Sequence, residues 1–214
     1  MNPALRPHSA HSLAALRRLV AARPRSERCE LCAAPVPEEH PHLVDPERRR
    51  LLCACQACAI LFDHSGPARY RRVPREVRAL EGLVIGDGLW NSLAIPIGLV
   101  FFFRSSVSTG TLAVYPSPAG PTETLVEADL WSELAALHPA LAAMREDIEA
   151  LLVNRIAGAR DSYLVPIDEC YKLTGIVRRD WSGFSGGEDV WEGIRRFFAG
   201  LQQRARAERS AGNA

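Results

Sequence analysis

Five of the six cysteines lie between positions 29 and 58, in the order Cys29-Glu-Leu-Cys32, twenty residues, then Cys53-Ala-Cys55-Gln-Ala-Cys58. Two Cys-x-x-Cys pairs, Cys29/Cys32 and Cys55/Cys58, can each wrap as a tight turn with both sulfurs aimed at one centre. Residues 33 to 54 are long enough for the chain to go out and return. Four thiolates at about 2.3 Å complete the tetrahedron that zinc prefers. Iron takes the same four-thiolate geometry, so the spacing alone leaves zinc and iron both open, with zinc the leading assignment. Two disulfides would need an oxidising compartment, for which the sequence gives no sign. A redox dithiol normally opens a helix after a strand, whereas these pairs come as a set among Arg-rich loops.

Cys53 stands two residues before Cys55 and competes with it for the third ligand position; His40, His42 and His64 are further substitutes. The expected ligands are Cys29, Cys32, Cys55 and Cys58, with Cys53 beside the metal or exchanging into it. A fifth thiol argues against a purely structural site, although a spare buried cysteine is the simpler reading. An all-thiolate zinc has no open position, so the expected role is structural and the chain is read as non-enzymatic.

Other constellations are weaker. Arg178 and Arg179 precede the glycines of a loop at 183–187 that leads into a helix, an arrangement that can hold an anion at backbone N–H groups. The plainer reading is an N-cap near Ser185 with Glu188 and Asp189 suiting the helix dipole. Asp168, Glu169 and Cys170 fall together, but a nucleophilic cysteine needs an activating group and no histidine lies beyond His138. The arginines between 69 and 78 have only Tyr70 as a stacking partner, which favours a solvated linker over a nucleic-acid surface.

The elements that must position these residues follow from composition and pattern. With 47% hydrophobic and 24% charged residues over 214 positions, the chain can build a globular core without covalent staples. Its longest apolar run, 93–103, has 11 residues, against about 20 for a membrane span. No secretory leader is visible and the expected location is the cytoplasm. Residues 1–80 carry 14 Arg against 8 Asp and Glu, a balance of +6; the remaining 12 Lys and Arg face 17 acids, a balance of −5. That asymmetry places a boundary near residue 80.

A short amphipathic helix is expected over 12–22. Strands are expected at 83–85, 93–103, 111–115, 122–126, 163–167 and 171–177, with Phe101, Phe102 and Phe103 buried on both faces. Helices are expected from Asp129, split at Pro139, then over 146–156, and finally over 188–207. The architecture is therefore α+β: an N-terminal arm (1–27), a zinc-ribbon-like cysteine module (28–66), and a mainly antiparallel sheet with packed helices (80–207).

The cysteine pairs, Trp90, Ile95-Pro96, the Tyr115-Pro-Ser-Pro-Ala-Gly loop, the 147–155 segment, Pro166-Ile-Asp-Glu-Cys-Tyr171 and the Trp181-to-Gly187 loop together resemble a family of uncharacterised bacterial proteins encoded beside nickel–iron hydrogenase genes. The resemblance spans about residues 28–200 and implies an accessory role in hydrogenase assembly, with a hydrogenase subunit or maturation factor as protein partner. It brings no catalytic residues. The alternatives are a nucleic-acid-binding or regulatory zinc protein, which the weak basic pattern makes the poorer fit, and an iron–thiolate electron-transfer protein.

Overall fold

The computed structural model describes residues 27–63, 69–95, 97–108, 110–183 and 185–212. The helix expected over 12–22 and His64 lie outside the described residues.

The cysteine region folds around a hairpin. Strands β1 (His42–Asp45) and β2 (Arg50–Cys53) pair antiparallel, and Arg71–Arg72 adds β3 to the free edge of β1. The turn between β1 and β2 is set by Asp45-Pro46: Asp45 Oδ1 accepts from the Arg48 N–H at 3.1 Å, and the Arg49 N–H reaches the Pro46 carbonyl at 3.2 Å. A short helix, α1 (Gln56–Leu61), leaves the end of β2. The third strand comes from the arginine-rich stretch expected to be a solvated linker. Its Val73 and Val77 are buried, and Arg71 and Arg78 pair with buried carboxylates at Asp147 and Glu149.

A second sheet has six strands, all paired antiparallel, in the order β4 (Arg78–Ala79), β9 (Asp161–Pro166), β8 (Glu149–Asn154), β5 (Leu99–Ser105), β6 (Gly110–Ser117), β7 (Gly120–Val126). Helix α2 (Asp87–Ser92) precedes β5; α3 (Ala128–Ala136) and α4 (Pro139–Ala142) follow β7, separated at Pro139 as expected. Helices α5 (Ile167–Asp180) and α6 (Gly187–Gly212) follow β9. Strand alternation divides the core: Leu99, Phe101 and Phe103 of β5 face α5 and α6, while Val100 and Phe102 face α3 and α4. The expected α+β class with a mainly antiparallel sheet is the architecture found.

Four expected elements differ. Residues 83–85 are not a strand, although Leu83 and Ile85 are buried. The run from Leu93 becomes β5 only at Leu99, after α2. The expected helix over 146–156 is strand β8, in which all six residues are buried. The expected strand over 171–177 is the centre of α5, because Ile167, Cys170, Leu173, Thr174 and Val177 form one buried stripe at helical spacing.

Candidate metal centre

The first cysteine pair sits on a turn closed by its own backbone. The Cys29 N–H donates to the Ala34 carbonyl at 2.8 Å and the Ala33 N–H to the Cys29 carbonyl at 2.8 Å. Glu30, between the two cysteines, fastens this turn to β2: its N–H donates to the Cys53 carbonyl at 2.9 Å and its carboxylate accepts the Cys53 N–H at 2.8 Å. The second pair is placed by helix initiation. Cys55 is the N-cap of α1 and its sulfur accepts from the Cys58 N–H at 3.4 Å; Cys58 lies in the first turn.

These placements converge. The sulfurs of Cys29, Cys32, Cys55 and Cys58 all lie within 4.8 Å of one another, with Cys32 and Cys55 at 3.7 Å. Sulfurs at the corners of a tetrahedron with metal–sulfur bonds of about 2.3 Å stand about 3.8 Å apart, so the cluster has the dimensions of a four-thiolate metal site. It is far too open for disulfide bonding, which needs about 2.05 Å, and all six cysteines are free thiols. Cys55/Cys58 does open a helix directly after a strand, the setting of a redox dithiol. Two further sulfurs in the same small volume distinguish it from an isolated pair.

The electrostatics suit an anion-rich site. Burial pushes the Cys29 thiol up, but N–H groups of Cys55, Cys32 and Leu31 directed at its sulfur outweigh that and draw it down to about 6. Cys58 is pushed up to about 12 by burial, then by the neighbouring sulfurs. One thiolate is thus favoured without a cation, and the accumulation of further negative charge calls for one.

Cys53 does not join the four sulfurs. As the last residue of β2 it faces His42 across the hairpin and groups with His40 and His42 instead. Strand alternation explains this: Leu52 and Ala54 point to the module core, and Cys53 to the opposite face.

The weaker candidates resolve into structure. Cys170 is fully buried on α5, and burial followed by the nearby Asp168 and Glu169 charges holds its thiol well above the usual range. Arg179 is bound to Asp180 at 2.7 Å. The glycine loop before α6 is clamped by Trp181 and Trp191, whose ring centroids are 6.2 Å apart and whose indole N–H groups donate to the Gly183 and Ser185 carbonyls. Among the described residues, a cleft of about 500 Å³ beside Leu80, Arg155 and Tyr163 carries no cluster of ligating side chains. Among the described residues no helix is long and apolar enough to cross a membrane.

Fold and site together define an α+β protein in which a four-cysteine cluster, able to hold a metal ion, precedes an antiparallel sheet. The chain belongs to the family of unknown function DUF5947, whose match runs over residues 28–205, from the residue before Cys29 into the last helix. No curated protein and no solved structure matches the chain.

Proposed function

We propose that this chain is a non-enzymatic accessory protein whose four-thiolate centre holds one zinc ion, and that it supports assembly or maturation of a nickel–iron hydrogenase through protein–protein contacts. The carrying observation is the convergence of Cys29, Cys32, Cys55 and Cys58 within 4.8 Å. Four thiolates fill zinc's tetrahedron and leave a closed ion that organises structure. The hydrogenase partner rests on the sequence resemblance alone.

The nucleic-acid alternative loses support at the arginines. Arg49 pairs with Glu123, Arg50 with Glu30, Arg69 with Asp45, Arg71 with Asp147, and Arg78 with Glu76 and Glu149. Charges engaged in this way release few counterions on a phosphate backbone.

Full-length protein after gel filtration is expected to be colourless and to retain about one equivalent of zinc, and Cys29→Ser or Cys58→Ser to lose it along with the fold of the cysteine module. Coloured protein containing iron would convert the reading to electron transfer. Less than about a tenth of an equivalent of any metal, with thiols intact, would remove the metal centre. The partner assignment is tested separately, by co-purification of tagged protein with hydrogenase subunits and by hydrogenase activity in a deletion strain. Unchanged activity without co-purification ends it.

A further inference from the structure

We infer that His40, His42 and Cys53 form a second metal site, separate from the four-thiolate cluster, which binds a divalent late first-row ion such as zinc, cobalt or nickel and leaves a fourth coordination position open to a cleft.

The site is built on the hairpin. His42 and Cys53 are directly opposed in the register of β1 and β2, so their side chains rise from the same face. His40, two residues earlier, reaches the same side, and the two imidazole centroids are 4.8 Å apart. One ligand atom from each of the three residues lies within 4.8 Å of the other two.

Hydrogen bonding then fixes which ring nitrogens are free. His40 Nδ1 lies 2.8 Å from the Pro37 carbonyl oxygen, which can only accept, so Nδ1 carries the proton and Nε2 presents a lone pair. That Nε2 is buried and has no hydrogen-bonding partner, in a residue only 8% exposed. A buried acceptor without a donor is unfavourable, and a metal ion satisfies it. His42 repeats the pattern with a stronger partner: Nδ1 lies 2.8 Å from Asp168 Oδ2, which leaves Nε2 as the basic nitrogen. Imidazoles that ligate metals are commonly oriented in this way, by a carbonyl on one ring and a carboxylate on the other. Asp168 comes from α5, so the α+β domain contributes the orienting carboxylate to a site carried by the cysteine module.

Two imidazoles and one thiolate suit borderline ions and disfavour calcium and magnesium. On binding, the Cys53 S–H bond breaks, its proton leaves to solvent and a sulfur–metal bond forms, so the metal is not reduced or oxidised. His40 and His42 line a cleft of about 600 Å³ whose wall also carries Glu27, Glu38 and Glu39. Three protein ligands, of which His40 and His42 border this cleft, leave one position for water or for a donor from a partner. The four-thiolate site is closed by comparison, so this second ion is the exchangeable one and washes out where the first is retained.

The test is cobalt titration of metal-stripped, reduced full-length protein, followed by absorption. Four-thiolate cobalt and two-imidazole, one-thiolate cobalt differ in sulfur-to-metal charge-transfer intensity and in the energy of their d–d bands. Wild type is expected to take up about two equivalents with two distinct spectra. Cys53→Ser and His42→Gln should keep the four-thiolate spectrum and lose the second. Asp168→Asn, which leaves all three ligands in place, should weaken the second site by about 10–100-fold without changing the first. Saturation of wild type at about one equivalent, or a second equivalent that survives in Cys53→Ser, overturns the inference. Failure of the four-thiolate centre would appear instead as absence of its spectrum in every protein, including wild type.

Discussion

At the scale of single residues, the four-thiolate set is legible because each Cys-x-x-Cys pair is a local unit and the two units share one spacing logic. Cys53 was ambiguous for an equally definite reason. Its role depends on which face of β2 it occupies, and only the pairing of His42 with Cys53 decides that. Ala33 was invisible as a structural residue. It closes the first cysteine turn with φ of 61°, a left-handed conformation that costs an alanine about 1 kcal/mol. Glycine removes that strain but has more unfolded-state freedom to lose. The balance predicts that Ala33→Gly raises the stability of the metal-loaded protein by about 0.5 kcal/mol. A higher urea midpoint with an unchanged slope would show it; a lower midpoint would mean the alanine methyl contributes packing that outweighs the strain.

At the scale of elements, two of the four segments that differ from expectation, β8 and the centre of α5, lie in the sheet and in the helix packed on it. Glu149-Ala-Leu-Leu-Val-Asn is apolar without a distinguishing period, and a six-residue apolar run fits a buried strand or a helix equally well. Its neighbours β5 and β9 settle the matter, and these are far away in sequence. Tyr171 to Val177 contains enough β-branched and aromatic character to suggest a strand. The stripe that makes it helical starts at Ile167, and the acids and arginines at its two ends match the helix dipole. Strand β8 opens on Glu149, whose side chain is nearly fully buried and accepts from the Arg145 N–H and guanidinium, both at 2.9 Å, with Arg78 of β4 at 3.6 Å. Burial pushes this carboxyl up, but the Arg145 hydrogen bonds and the two positive charges more than offset it, so it sits below its usual 4.5. A depressed folded-state pKa gives stability that is complete above 4.5 and is lost as the pH falls through the lower value. Glu149→Gln is therefore expected to cost about 1 kcal/mol at neutral pH, because Arg145 and Arg78 stay partly solvated when their partner loses its charge. The gap to wild type should close as the pH drops below 4.5. Denaturant titrations of both proteins at neutral and acid pH check this, and a gap independent of pH would assign the cost to packing alone.

At the scale of the whole molecule, the cysteine module and the sheet are joined through one hairpin with two working faces. Leu43 and Leu52 point into the small core that also holds Cys29, Ala54 and Cys58; Val44 and Leu51 point the other way, into the core between the sheet and α5 and α6. The polar ties follow the same seam: His42 to Asp168 across 126 residues, Arg71 to Asp147 at 3.0 Å, and Arg49 to Glu123 at 2.5 Å. Nothing local in the sequence announces such pairings, and the charge asymmetry does not mark them, because five of its six excess positive charges are arginines at positions 1–26. Among the described residues the small core has seven buried members, too few to hold a fold without a staple; under the proposed function, the ion held by the four thiolates supplies it. Stripping the metal should then release the hairpin and expose the far faces of Val44, Leu51 and Val73. At about 1.5 kcal/mol for each of these three apolar side chains, the sheet domain loses roughly 4.5 kcal/mol, or about 15 °C in melting temperature. Hydrogen exchange should show protection vanishing first across β1, β2 and α1 while β5, β8 and β9 stay protected. If the sheet melts at the same temperature with and without a chelator, the outer face of the hairpin contributes no stability to the sheet, and the module is an appendage whose fold and ion can be removed without cost to the rest.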